Sequence, residues 1–115
     1  MWKKLGVNVE HLVSEQKVHV ANMRRGDFEV GSYGWSADYN DAQDFLFLWQ
    51  TSTKQENFAR FSNPDYDRLM GEASVTGDVS KRAQLLARAE QVLLKEMPVL
   101  PLYFGVSKNL VSTRV

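Results

Sequence analysis

The run Gly34-Trp35-Ser36-Ala37-Asp38-Tyr39-Asn40-Asp41-Ala42-Gln43-Asp44 gathers carboxylates, aromatic rings and a glycine into one short stretch. Alternating Asp and Asn is the donor pattern of a calcium loop. Here, however, Gln43 stands where that loop requires glycine, and Trp49 stands where its closing Glu belongs. Asp38 with Asp41 or Asp44 could instead form an acid/base pair on a glycoside, with Trp35 and Tyr39 stacking on the sugar. Spacing in a loop does not fix the carboxylate separation that such chemistry needs. A half-buried Asp is also a natural partner for an ammonium group, through a charge-assisted hydrogen bond. Plainer roles stand beside these. Asp38 can close an Asx-turn, and Asp41 can cap the helix that follows. Trp35 packs or binds, and its place in a loop does not decide between the two.

Other chemistries find no residues. Gly31-Ser32-Tyr33-Gly34 lacks the spacing of a dinucleotide loop, and no Gly-x-Ser-x-Gly elbow surrounds Ser36 or Ser107. His11 and His19 are eight apart on different predicted elements, which rules out a helical zinc pair. The chain has no cysteine, hence no disulfide, thiolate metal site or thiol nucleophile. No cofactor and no metal site is expected.

The 115 residues carry 14 basic and 14 acidic side chains, with no basic stripe for nucleic acid and no cluster for an anionic membrane. A chain of this length suits one domain or part of one, with a modest core. No apolar run approaches a membrane span, and Met1-Trp2-Lys3-Lys4 lacks the apolar core of a secretory signal.

The elements that must carry residues 34–44 follow from periodicity. Residues 2–5 read as the last turn of a helix, stopped at Gly6 by a left-handed cap. Alternation from Val7 to Val13 predicts a strand. Ser14 is expected to cap a helix over 15–25, with Val18, Val20, Ala21 and Met23 supplying its apolar side; Gly26 ends it, and 28–33 form a second strand. Strand, helix and strand within about 30 residues is a βαβ unit. The loop at Gly34 then lies at the carboxyl end of a strand, where open α/β sheets bind ligands.

Beyond the loop, 42–50 predict a short helix with Phe45 and Trp49 in the core, and 51–62 an irregular stretch. Asn63-Pro64 starts a helix running to Gly77. Asp78 or Ser80 caps the next, whose face is Leu85, Leu86, Ala89, Val92, Leu93 and Met97. Residues 98–104 and 106–115 read as late strands. The fold class is therefore α/β, with an incomplete sheet whose exposed edges could pair into a dimer or a strand swap. A helix begun at its last turn and an open sheet are what a fragment would present.

Six stretches together resemble the large solute-binding proteins of oligopeptide and dipeptide ABC transporters (extracellular solute-binding protein family 5). They are Leu5-Gly6-Val7-Asn8-Val9-Glu10, Arg25-Gly26-Asp27-Phe28-Glu29-Val30, the Gly34–Asp41 run, Asn63-Pro64-Asp65-Tyr66-Asp67-Arg68-Leu69, Arg82 with Ala89-Glu90-Gln91, and Met97-Pro98-Val99-Leu100-Pro101-Leu102-Tyr103. The resemblance implies a periplasmic, non-enzymatic, two-lobed protein of the type II periplasmic-binding fold. Such a protein closes on a short extended peptide and delivers it to a membrane permease. It implies that residues 1–104 belong to the second lobe and that 105–115 begin the return into the first. It also implies that Asp38 pairs with the peptide's ammonium, that Gly34 and Ser36 offer backbone groups, and that Trp35 walls the cleft. A carbohydrate-active enzyme or sugar-binding module using Asp38, Asp41, Asp44, Trp35 and Tyr39 is the alternative.

Overall fold

The computed structural model describes residues 2–106, 108 and 110–112. Its centre is an αα-hairpin. Helix α3 (Pro64–Val75) and helix α4 (Val79–Glu96) pack along their lengths across the short link 76–78. Asn63 starts α3 by accepting from the backbone N–H groups of Asp65 and Tyr66 at 3.0 and 3.1 Å, with proline in the first helical position. Asp78 starts α4 by accepting from the Lys81 N–H at 2.7 Å. Tyr66, Leu69, Met70 and Ala73 recur at helical spacing and meet Leu85, Leu86, Ala89 and Leu93. Ala73 and Ala89 are fully buried, small residues that let the two backbones approach.

Met97 departs from the predicted apolar face of α4. It is an exposed left-handed cap at φ 52°, with its N–H on the Leu93 carbonyl at 2.9 Å, and Pro98 forbids another turn. Val92 is only partly buried against the core.

Two further helices lie before the hairpin. Helix α1 (Gln16–Arg25) ends at Gly26, whose φ of 81° is the left-handed cap expected there. Its first residue follows Glu15, and no side chain caps it, so the expected Ser14 cap does not form. Of its apolar side only Met23 is buried; Val18 stays exposed. Helix α2 (Gln43–Leu46) runs into 3₁₀ turns at Phe47–Trp49 and Thr51–Thr53. Leu46 and Leu48 are buried there, and Trp49 packs against the core, but Phe45 faces solvent. Residues Trp2–Leu5 form a 3₁₀ turn closed by Gly6 at φ 75°.

The predicted strands do not form. Residues 7–13, 28–33 and 98–104 pair with nothing in a ladder, and among the described residues there is no strand at all. The physical reason lies in their surroundings. A strand is held by the ladder of a neighbouring strand, and none pairs with these segments; Val13 and Phe104 are each 95% exposed. The α/β class and the βαβ unit are thus not realised within the described residues, which are helical. With no sheet there is no sheet edge among them either, and the expected edge pairing into a dimer or strand swap loses its basis. The last predicted strand falls partly on Ser107, Asn109 and 113–115, which lie outside the described residues.

Candidate functional site

Residues 34–41 are pinned from one side by helix α2. Asp44, in its first turn, is 2% exposed. Its Oδ2 accepts two hydrogen bonds, from the Trp35 indole Nε1–H at 3.1 Å and from the Asp38 backbone N–H at 2.9 Å. The Trp35 ring stands edge-on to Phe47, with centroids 5.9 Å apart. A half-buried indole is thereby fixed at its polar end by a carboxylate and at its apolar side by a ring.

A second anchor holds the far end of the loop. Asp41 accepts from the Gln43 N–H at 2.8 Å, but the N-cap of α2 is Ala42 with no side-chain cap, so the expected Asp41 cap is displaced by one residue. Asp41 also receives a two-pronged bond from Arg82 at 2.6 and 3.0 Å, and Arg82 reaches the Gln43 side-chain oxygen at 2.6 Å. The Arg82 bonds, followed by that from the Gln43 N–H, hold the Asp41 carboxyl below the usual carboxylate range. Arg82 lies in the first turn of α4, so the loop is tied to the hairpin core.

The other predicted residues stand free of these anchors. Gly34, Ser36 and Asp38 are exposed, and a Cβ on Gly34 would meet nothing within 4 Å. Among the described residues the Asp38 carboxylate makes no ion pair and accepts no hydrogen bond; only its backbone N–H is engaged. Tyr39 is exposed too. The structure thus brings Trp35 and Asp38 to one buried carboxylate and leaves the Asp38 charge available.

This arrangement weakens the glycosidase reading. Asp44 is buried under two donors and Asp41 is committed to Arg82, so Asp38 alone of the three carboxylates is unengaged. No group of three or more potential metal ligands occurs among the described residues.

Three positioning contacts escaped the sequence reading. Asn57, buried within the stretch read as irregular, donates to the Phe61 carbonyl at 2.7 Å and accepts from the Phe61 N–H at 3.0 Å. Arg60 reaches the Arg25 carbonyl at 2.6 Å, joining that stretch to the end of α1. The third is the Arg82–Asp41 pair, 41 residues apart. Only the acidic residue in the first turn of an otherwise apolar helix, Asp44 beside Phe45 to Trp49, could have signalled a buried acceptor.

No family model matches the chain. The oligopeptide-binding protein OppA of Bacillus subtilis (strain 168) is 39% identical over 105 residues, covering 90% of this chain and 19% of that protein. The periplasmic murein peptide-binding protein MppA of Escherichia coli (strain K12) is 38% identical over 113 residues, 97% of this chain and 21% of that one. The solved structure of the Escherichia coli murein tripeptide binding protein MppA superposes with a TM-score of 0.78 at 37% identity, over 84% of this chain and 19% of that chain. The chain spans about one-fifth of the length of the curated relatives it matches. All of these relatives are named as binding proteins.

Proposed function

This chain is homologous over most of its length to the family 5 oligopeptide-binding proteins, and from that premise we propose that it forms one side of a peptide site. The carrying observation is the loop 34–38, held from behind by Asp44 while the Asp38 carboxylate stays exposed and unpaired. Asp38 receives the ammonium of a short extended peptide through charge-assisted hydrogen bonds. Gly34 and Ser36 present backbone groups to the peptide main chain, the strand-addition mode that gives affinity without reading side chains. An absent Cβ at Gly34 leaves room for a second backbone. Trp35 walls the cleft.

Within the whole protein, residues 1–104 belong to the second lobe of a type II periplasmic-binding fold, with 105–115 starting back towards the first. The segments 7–13, 28–33 and 98–104, extended in sequence character but unpaired here, take their sheet partners from that larger body. The protein works in the periplasm, releases its peptide to an ABC-transporter permease and carries out no catalysis.

The test is calorimetric titration of the intact protein with a tripeptide and its N-acetylated form. Asp38→Ala is expected to weaken the free-amine peptide by about 10- to 100-fold, the worth of one charge-assisted bond. The acetylated peptide should bind almost as before. Equal losses for both would remove the ammonium clamp.

A further inference from the structure

We infer that Asp44 is a positioning residue of this site, one that sets the peptide wall and the ammonium clamp in register through a single oxygen. The inference rests on the peptide-site reading above and adds a residue with no contact to ligand. Three observations carry it. Asp44 is almost completely buried, yet both of its protein donors come from the loop: the Trp35 indole and the Asp38 backbone. Those two donors belong to the residues assigned as wall and clamp. No cation shares the carboxylate among the described residues, so its bonding serves the loop and no salt bridge.

Removing the acceptor strands two donors at once. The indole is then steered only by Phe47, and the backbone at Asp38 is released from α2. Both wall and backbone serve any peptide, charged at its amine or not. Loss of Asp44 should therefore weaken both classes of ligand, unlike loss of Asp38.

Asp44→Leu and Asp44→Asn in the intact protein test this, with the same tripeptide and its N-acetylated form. Asp44→Leu is expected to weaken both by about tenfold or more, since both part-buried donors lose their shared acceptor and the loop its anchor. Asp44→Asn keeps an acceptor oxygen and should stay within about threefold of the parent. The second readout is the Trp35 indole N–H resonance, identified by its loss in Trp35→Phe. It should shift and exchange faster with water in Asp44→Leu and return towards the parent position in Asp44→Asn. If Asp44→Leu does not fold, Asp44→Ala takes its place under the same criteria. Parent-like binding of both peptides together with an unmoved indole resonance would overturn the role. Should Asp38→Ala fail to separate the two peptides while the indole still responds to Asp44, the ammonium clamp falls and the loop anchor stands.

Discussion

Tyr66→Phe probes the contact that fixes α2 from beneath. Tyr66 is fully buried, its hydroxyl donates to the Leu46 carbonyl at 2.6 Å, and its ring meets Phe61 edge-on with centroids 5.4 Å apart. Phenylalanine keeps the ring and its packing, so the change isolates one buried hydrogen bond. Leaving the carbonyl at the end of α2 without that donor should cost about 1–2 kcal/mol. For a domain of about 100 residues this lowers the melting temperature by roughly 4–8 °C per kcal/mol. Urea unfolding followed by circular dichroism reads the free energy directly, with an unchanged slope showing that the fold is intact. The alkaline limb supplies an internal check. Burial, and after it the Asp67 charge, raises the Tyr66 pKa well above its ordinary value. A phenol whose folded pKa is raised contributes fully below its unfolded value of about 10, and that contribution drains as pH climbs beyond it. The parent should therefore lose its advantage over Tyr66→Phe above about pH 10. A variant equal to the parent within about 0.5 kcal/mol at pH 7, or a gap that widens in alkali, would refute the reasoning.

Two further changes address the loop and the α1 cap. Asp41→Asn should flatten the acid limb of stability: a depressed carboxyl contributes above its unfolded pKa of about 4 and loses that contribution as pH falls through its lowered folded value, so urea midpoints of parent and variant should converge as pH falls below about 4. Gly26→Ala places a side chain at φ 81° with its Cβ 2.7 Å from Arg60 Nη2, and should lower stability by about 1–2 kcal/mol, read by the same urea titration.

What could be read from the sequence was what is local. Asn63, Pro64 and Asp78 announce their helices because a cap bonds backbone two or three residues away. Tyr66, Leu69, Met70 and Ala73 announce a buried face because helical spacing is short-range. Residues 7–13 and 28–33 have strand-like composition, but pairing is a non-local event, and no partner strand pairs with them among the described residues. Within 34–44, the residue types marked a candidate loop without fixing which of its three carboxylates stands free. That outcome depends on Arg82, which neutralises Asp41, and on burial, which commits Asp44 to two donors. Neither contact leaves a periodic trace. Phe45 shows the opposite error, since four residues are too few for an apolar stripe to fix which side faces in.

The shared oxygen of Asp44 has a mechanical consequence. Two donors fastened to separate acceptors would drift independently as the loop fluctuates. Fastened to one atom, the Trp35 ring and the Asp38 backbone travel as a coupled carriage on α2. Motion of that short helix relocates the pair but leaves the spacing within it nearly constant.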